Sequence, residues 1–221
     1  MERITEPELM DDEAQARAYA EADFEEPNAR FAALCGEFLG ALPAGAAVLD
    51  LGCGPGDIAL RLARAAPGIE VHGLDGSEAM LAFGHAALAA EPALAARVRF
   101  ITGRVPGAQL PRATYEAVVS NSLLHHLHEP AVLWQAIHAH AAPGAHVLVM
   151  DLMRPASPEA APALVDQYAA GEPEVLRRDF FNSLLAAFEP GEVRAQLGRA
   201  GLGHFTVAEA SDRHLLVRGR A

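Results

Sequence analysis

The chain has 221 residues, a mass of 23.3 kDa and a hydrophobic fraction of 51%, which suffices for one domain with a sizeable core. The formal net charge of −12 argues against nucleic-acid binding, which uses a basic surface, and against binding to an anionic membrane. Two cysteines do not indicate a disulfide scaffold, the N-terminus lacks a signal-peptide pattern, and no apolar run is long enough to span a bilayer, so we expect a cytoplasmic protein.

Two amphipathic helices are predicted before the first strand. Apolar and small residues recur with helical spacing over residues 11–25 and again over residues 29–42. Pro27 and Asn28 are expected to separate the two helices, because proline and asparagine favour turns. Residues 1–45 are therefore expected to form a helical N-terminal section.

Five apolar strands alternate with helices in the next part of the chain. We predict strands at residues 46–51, 70–75, 98–102, 116–121 and 146–151. Helices are predicted to begin after Ser77 and after Pro130, the second ending at Pro143 and Gly144. This alternation indicates an α/β fold, with a mostly parallel sheet covered by helices on both faces.

The C-terminal part of the chain departs from this alternation. A helix is predicted over residues 192–200, followed by a closing hairpin of strands at 204–210 and 214–218. Residues 154–190, between the fifth strand and this helix, are longer than an ordinary connection and carry helical patterns at 160–169 and 175–188. We expect this insertion to cover the mouth of a ligand site.

A glycine-rich turn follows the first strand. Residues 48–57 read Val-Leu-Asp-Leu-Gly-Cys-Gly-Pro-Gly-Asp, and glycine lets a ligand approach the backbone closely. The following helix offers free N–H groups to a polar ligand. Asp57 occupies the position of the third glycine in the dinucleotide fingerprint, and the chain has no lysine for a phosphate-binding loop, so both nucleotide classes are disfavoured.

Polar residues stand at the ends of the predicted strands. Asp50, Asp75, Asn121 and Asp151 end or follow four different strands, at the edge where open α/β sheets bind ligands. Asp75 lies about 20 residues after the glycine turn, where an acid can bind the two hydroxyl groups of a ribose.

Together these motifs resemble the class I S-adenosylmethionine-dependent methyltransferases. The resemblance implies a Rossmann-like sheet of seven mostly parallel strands with one antiparallel strand near the C-terminus. It implies S-adenosyl-L-methionine as cofactor, S-adenosyl-L-homocysteine as product, and methyl transfer to a small-molecule acceptor by proximity and alignment. The cofactor-binding residues that it implies are Asp50, Gly52, Cys53, Gly54, Gly56, Asp75, Gly76, Ser77, Met80, Arg104, Val105, Asn121 and Ser122.

The resemblance also assigns roles at both ends of the cofactor. It places Asp50 near the amino group, Asp75 on the ribose and Met80 against the adenine. Many members have Gly-Asp after the third strand, whereas this chain has Gly103 and Arg104. Adenine is then held either by backbone atoms of Arg104 and Val105 or by Met80 and packing.

We predict a single domain over residues 1–221 with four sections. They are the N-terminal helices at 1–45, the cofactor core at 46–151, the insertion or lid at 152–190, and the C-terminal helix and hairpin at 191–221. The chain is expected to act as a monomer or a homodimer.

Residues for the acceptor are harder to assign. If the acceptor must lose a proton, His126 and Tyr19 are candidate bases. The insertion and its start supply candidate acceptor-binding residues, namely Arg154, Tyr168, Arg177, Arg178 and Phe181, whose arginines would suit an anionic acceptor.

One further interpretation is disfavoured and two remain open. The histidines at 125, 126 and 128 suggest a metal, but adjacent residues point in different directions and no cysteine or acid accompanies them at zinc spacing, so no metal is predicted. A relative that modifies the cofactor, such as a carboxy-S-adenosylmethionine synthase, is one alternative function. A non-catalytic protein that binds the cofactor is another.

Overall fold

The computed structural model describes residues 1–9 and 12–221, and its strands form one seven-stranded sheet. The strands are β1 (Ala47–Leu51), β2 (Glu70–Asp75), β3 (Val98–Thr102), β4 (Tyr115–Asn121), β5 (Ala141–Leu152), β6 (Thr206–Glu209) and β7 (His214–Arg220). The helices are α1 (Glu13–Glu21), α2 (Glu25–Leu39), α3 (Asp57–Ala65), α4 (Glu78–Ala89), α5 (Ala131–His140), α6 (Ala160–Tyr168), α7 (Glu174–Ala186) and α8 (Pro190–Arg199). A short 3₁₀ helix, Leu124–His126, lies between β4 and α5.

The sheet has the strand order β3-β2-β1-β4-β5-β7-β6. The pairs among β1 to β5 are all parallel, whereas β7 runs antiparallel to both β5 and β6. This confirms the predicted fold class. Because β1 to β5 are parallel, their carboxyl ends meet at one edge of the sheet, where ligands bind in folds of this type.

Helices cover both faces of the sheet, as predicted. Leu49 of β1 belongs to a buried core that contains Trp134 of α5 and Leu197 of α8. The neighbouring residue, Val48, belongs to a second core that contains Phe31 of α2. Successive strand residues point to opposite faces, so the nearly continuous apolar strands supply both cores.

The insertion forms α6 and α7, close to the helices predicted at 160–169 and 175–188. It has its own small core, in which Val165 of α6 and Leu184 of α7 pack with Leu152 at the end of β5. The insertion is therefore anchored at the carboxyl end of β5, beside the edge where ligands bind.

Two predicted boundaries were wrong. Pro27 does not separate the first two helices but lies in the first turn of α2, where the backbone N–H groups have no partner within the helix and proline is tolerated. Pro143 and Gly144 lie within β5 rather than ending α5, which stops at His140. There the register with β4 shifts, so proline displaces no regular ladder bond. The predicted start of the first helix, residue 11, lies outside the described residues.

In the part of the chain that the structure describes, no helix combines the length and the hydrophobicity needed to cross a lipid bilayer.

Candidate functional site

A cavity of about 970 Å³ lies at the carboxyl ends of the parallel strands. Its floor is formed by the ends of β1, β2, β4 and β5 and by the loops that follow them. Tyr19 and Phe24 from the N-terminal section and Tyr168 and Phe180 from the insertion also line it. The cavity thus lies between the sheet edge and two segments that are distant in sequence.

The glycine turn forms part of the cavity wall, but its three glycines do different things. Gly52, Gly54 and Gly56 all have left-handed backbone conformations that favour glycine. A Cβ at Gly52 would lie 2.8 Å from Cβ of Leu123, and one at Gly56 would overlap the ring of Phe100. Core packing therefore requires these two glycines.

Of the three glycines in the turn, Gly54 has the most space for an added Cβ. An added Cβ there would have only the Met80 Cε within 4 Å, at 3.5 Å. Gly52, Cys53 and Gly54 line the cavity, whereas Gly56 does not. Gly56 packs against Phe100 and is not among the lining residues, so its contact with the cofactor stays a prediction.

The carboxylate of Asp75 joins the glycine turn to α4. Its Oδ2 accepts a hydrogen bond from the Gly54 N–H at 2.8 Å, and its Oδ1 accepts one from the Ser77 N–H at 2.8 Å. Ser77 caps α4, as predicted, because its hydroxyl oxygen accepts from the Met80 N–H at 3.2 Å. Asp75, Gly76, Ser77 and Met80 all line the cavity.

Asp50, at the end of β1, is a buried carboxylate that needs a partner. Among the described residues, its Oδ2 has no hydrogen-bond partner. Burial, followed by the charges of Asp75 and Asp57, raises the pKa of Asp50 to about 7. A cation bound beside it would relieve both the desolvation and the repulsion.

The end of β4 also carries a buried oxygen that lacks a hydrogen-bond donor in the described part of the chain. The Oδ1 of Asn121 is buried, and no described residue donates a hydrogen bond to it. Ser122 follows with a left-handed φ of 59°, which is uncommon for a residue with a side chain and occurs often at ligand sites. Both residues line the cavity. Asp50 and Asn121 thus present acceptors that a ligand with an ammonium group would satisfy, and this fits the methionine end of the cofactor.

The opposite end of the cofactor region is less polar. Met80, Phe83, Gly103, Arg104 and Val105 line the cavity there. The Arg104 side chain lies over Gly76, where an added Cβ would approach its Cγ to 3.2 Å. Met80, Phe83 and Val105 contribute apolar side chains to this part of the lining, and Gly103 and Arg104 follow β3 in place of an acid.

At the far side of the cavity, Asp151 and His125 form a buried pair. The Asp151 Oδ1 lies 2.6 Å from the His125 Nδ1, and its Oδ2 accepts from the Leu124 N–H at 2.6 Å. The pKa of His125 is raised, since burial, the largest single influence, lowers it but the charge and hydrogen bond of Asp151 and the charge of Glu6 together prevail. The sequence predicted only that Asp151 is a polar residue at the end of a strand, not that it pairs with His125.

Glu6 lies beside this pair and connects it to His126. Its Oε1 lies 3.6 Å from the His125 Nε2 and 3.2 Å from the His126 Nδ1, and it accepts a hydrogen bond from the Ser183 hydroxyl at 2.9 Å. Burial raises the pKa of Glu6, and burial together with the charge of His125 lowers the pKa of His126 well below its usual value. No local sequence pattern pointed to Glu6, because its partners are more than a hundred residues away in the chain.

Of the two predicted bases, Tyr19 suits the role less well. Both Tyr19 and His126 line the cavity. Burial, followed by the charges of Asp75, Asp151 and Asp57, raises the pKa of Tyr19 to about 12, so its hydroxyl keeps its proton at neutral pH. Burial, followed by the charge of His125, lowers the pKa of His126, which favours the uncharged form that a base requires.

Residues 1–9 form a segment that we call the N-terminal strap. A terminal nitrogen of Arg3 donates to the carbonyl oxygens of His125 and Leu127 at 2.8 and 3.0 Å, and the guanidinium lies 3.9 Å from the ring centre of Phe188. The Ile4 N–H donates to the Leu185 carbonyl at 3.1 Å. These contacts fix the strap between the 3₁₀ helix and α7.

The predicted acceptor-binding residues divide into one that lines the cavity and four that do not. Tyr168 lines it, with the guanidinium of Arg213 at 3.3 Å from the centre of its ring. Its hydroxyl donates to Asp212 at 2.6 Å. Arg213 also lines the cavity, and the sequence did not single it out.

The other four do not line the cavity, and their contact with an acceptor stays a prediction. Arg154 is buried and donates to Glu189, Glu192 and a backbone carbonyl. Arg177 pairs with an aspartate of α6, and Arg178 is largely exposed. Phe181 packs in the small core of the insertion. Each of these side chains except Arg178 has partners within the insertion or α8, and sequence spacing alone did not predict those contacts.

Comparisons with known proteins agree with this geometry. Residues 48–145 match the family model described as "Methyltransferase domain". An uncharacterized methyltransferase of Mycobacterium bovis is 32% identical over 108 residues, covering 49% of this chain and 51% of that protein. The chain thus aligns with about half the length of the curated relatives it matches.

Solved structures resemble the whole fold at low identity. The plantazolicin methyltransferase BpumL, solved with a desmethyl-plantazolicin analogue and S-adenosylhomocysteine, has a TM-score of 0.72 at 12% identity, covering 94% of this chain and 89% of that chain. A SAM-dependent methyltransferase from Aquifex aeolicus has a TM-score of 0.67 at 17% identity, covering 95% and 98%. Residues 48–145, less than half of the chain, therefore match the methyltransferase domain family, and the fold is that of the class I S-adenosylmethionine-dependent methyltransferases.

Proposed function

We propose that this protein transfers a methyl group from S-adenosyl-L-methionine to a small-molecule acceptor and releases S-adenosyl-L-homocysteine. The observation that carries the proposal is the buried Asp50 carboxylate, whose Oδ2 has no partner in the described chain and lies at the wall of the cavity. A buried carboxylate without a cation is costly, and the cofactor carries both an ammonium and a sulfonium group.

Named residues would hold each part of the cofactor. Asp50 and Asn121 would accept hydrogen bonds from the amino-acid end, and Asp75 would accept from the ribose hydroxyls while it keeps the glycine turn in place. Met80 and Val105 would contact the adenine. Asp75 is already fixed by two backbone donors, so its orientation is set before binding and little ordering free energy is needed.

Methyl transfer requires few catalytic side chains. The bound cofactor supplies a methyl group that is already activated on a positively charged sulfur. The protein's part is to align the acceptor with that methyl group and to exclude water, which concentrates and orients the reactants. Tyr19 and Phe180, from the N-terminal section and the insertion, form the wall on the acceptor side of the cavity.

The charges of the cavity suggest the type of acceptor. Among the described residues, the lining carries ten carboxylates and four arginines, and Arg61 and Arg213 already form ion pairs with acids. The aromatic rings of Tyr19, Phe24 and Tyr168 line the same space. We infer a neutral or cationic acceptor with an apolar or aromatic part, in place of the anionic acceptor that the sequence suggested.

The decisive experiment combines a binding and a turnover measurement. Calorimetry should show binding of S-adenosyl-L-homocysteine to the wild-type chain, with affinity lost in Asp50→Leu, whose side chain has the same branched shape, a larger volume and no charge. Incubation with labelled S-adenosyl-L-methionine and a fractionated metabolite extract should give a labelled product. No binding of either form of the cofactor would refute the proposal.

Mass spectrometry of the ligand that copurifies with the chain separates the alternatives. Unmodified cofactor or its demethylated product is the expected result. A carboxylated cofactor would identify a cofactor-modifying enzyme. Binding without turnover in any extract fraction would indicate a non-catalytic cofactor-binding protein.

A further inference from the structure

Three potential metal ligands converge at the acceptor side of the cavity. The carboxylate of Glu6 from the N-terminal strap and the imidazoles of His125 and His126 place their ligand atoms within 4.8 Å of one another. We propose that these three side chains bind a divalent transition-metal ion such as Zn²⁺. The proposal does not depend on the proposed function, because metal binding can be measured without cofactor or acceptor.

Two of the three separations between ligand atoms are close to those of a metal site, and the third is no more than 4.8 Å. Zinc–nitrogen and zinc–oxygen bonds of about 2.0–2.1 Å in a tetrahedral site separate the ligand atoms by about 3.3 Å. The Glu6 Oε1 lies 3.2 Å from the His126 Nδ1 and 3.6 Å from the His125 Nε2. The longer distance exceeds hydrogen-bond range, and the His126 Nδ1 is buried without a hydrogen-bond partner among the described residues.

The 3₁₀ helix explains why two adjacent histidines can serve one ion. Adjacent residues usually point in different directions, which is why the sequence disfavoured a metal. In the fold, the rings of His125 and His126 lie with their centres 4.2 Å apart and their planes at 36°. The acid that the sequence lacked nearby is supplied by Glu6, from a segment about 120 residues away in the chain.

The surroundings match the support that metal ligands commonly have. The His125 Nδ1 lies 2.6 Å from a carboxylate oxygen of Asp151, which leaves its Nε2 directed toward Glu6. Such a carboxylate fixes the tautomer and the orientation of a metal-binding histidine. The other side of the site is held by Ser183, whose hydroxyl donates to the Glu6 Oε1 at 2.9 Å.

The site has room for a further ligand from the cavity. His125, His126 and Ser183 all line the cavity, so a water molecule or an acceptor atom can complete the coordination. Two imidazoles and one carboxylate favour Zn²⁺, Co²⁺ or Fe²⁺ over Mg²⁺, which prefers oxygen ligands. Because Glu6 belongs to the strap, the ion would also join the strap to the 3₁₀ helix.

The test measures metal binding by the full chain after treatment with a chelator. Calorimetry with Zn²⁺ should show one ion per chain, and Co²⁺ should give the visible absorption of a site with nitrogen ligands. Glu6→Gln and His126→Gln should each weaken Zn²⁺ binding by at least about tenfold. Mg²⁺ at the same concentrations should give no signal.

Matched controls use the same substitutions at other sites. Glu8→Gln changes a strap carboxylate that accepts from the His128 N–H, and His138→Gln changes an exposed histidine of α5. Both controls should retain the Zn²⁺ affinity of the wild type, and circular dichroism should show that all four variants are folded.

A second measurement does not depend on affinity. Hydrogen exchange of the strap should slow when Zn²⁺ is added to the wild type, and should not change in Glu6→Gln. Absence of stoichiometric binding, or equal losses of affinity in the controls, would overturn the proposal.

Discussion

The cofactor end and the acceptor end of the cavity are held together in different ways. At the cofactor end, Asp75 bonds to Gly54, which lies 21 residues earlier in the chain, and the parallel register of β1 and β2 brings the two together. At the acceptor end, Glu6 bonds to Ser183, which is 177 residues away, and neither belongs to the sheet. The first end is fixed by backbone hydrogen bonds and glycine turns, the second by side chains of two docked segments.

This difference indicates which end tolerates change. The cofactor end depends on the sheet and on left-handed glycines, so most substitutions there affect binding of the same ligand. The strap contributes no strand to the sheet, and the helices of the insertion pack through a separate small core, so side chains of both segments can change without altering the sheet. We therefore expect the acceptor end to determine specificity, and substitutions at the two ends to have separable effects.

The largest expected effect is at Asp75. Asp75→Ala removes the acceptor for two ribose hydroxyls and also frees the N–H groups of Gly54 and Ser77. A hydrogen bond to a charged group contributes about 1.5–3 kcal/mol, so affinity for S-adenosyl-L-homocysteine should fall by at least about a hundredfold. Calorimetry measures this, and Glu78→Ala, at an exposed position of α4, is the control. Equal losses in both variants would contradict the role of Asp75.

Asp50 tests whether the cofactor end trades stability for binding. Asp50→Asn removes a buried charge whose pKa is raised to about 7. Affinity for the cofactor should fall by about tenfold, because one charge-assisted hydrogen bond is weakened. The free energy of unfolding at pH 8 should rise by at least about 1 kcal/mol, because a raised carboxyl pKa means that ionisation destabilises the folded state. Urea denaturation measures the change.

The pH dependence of the free energy of unfolding is the control for the Asp50 prediction. The carboxyl group is protonated in the folded protein below about pH 7 and ionised in the unfolded chain above its ordinary pKa, so the stability penalty in the wild type shrinks as pH falls from 7 toward 4. The advantage of Asp50→Asn should shrink in parallel. Cofactor affinity of the wild type should weaken below pH 7, since binding then requires loss of the proton. An advantage that grows on acidification would contradict this assignment.

Arg3→Gln tests whether the acceptor end can be altered without affecting the cofactor end. Arg3→Gln loses the donors to the carbonyls of His125 and Leu127 and the contact with Phe188. We expect faster hydrogen exchange in residues 1–9 and a loss of about 1–2 kcal/mol in local stability. Cofactor affinity should change by less than about threefold, because none of these contacts touches the glycine turn. A large loss of cofactor affinity would show that the two ends are coupled.

The smallest expected effect is at Arg178. Its side chain is 67% exposed and lies 3.5 Å from the carboxylate of Asp179, so Arg178→Met should change stability by less than about 0.5 kcal/mol and leave turnover unchanged. Arg154→Met is the contrast, since Arg154 is buried and paired with Glu189 and Glu192. It should lower the melting temperature while cofactor affinity holds. Loss of acceptor binding in Arg178→Met would restore the anionic-acceptor prediction.

The sequence by itself determined the sheet and most of the cofactor end. Apolar strands alternating with helices require a parallel sheet, and strand boundaries such as 70–75 and 98–102 were predicted as the structure has them. The cap at Ser77 and the acid at the end of β2 could be predicted because both depend on nearby residues. The glycine turn was recognisable for the same reason, although only tertiary packing against Leu123 and Phe100 shows why Gly52 and Gly56 cannot carry a side chain.

Which residues meet at the acceptor end became known only from the tertiary structure. The contacts of Glu6 with His125 and His126 depend on the docking of the strap, which no local pattern encodes. The direction of Arg154 and Arg178 depends on how the insertion packs at the end of β5, and helical periodicity does not specify which face meets the cavity. The physical reason is range: capping, turns and strand alternation act between neighbours in sequence, whereas a site built from three distant segments exists only after the chain has folded.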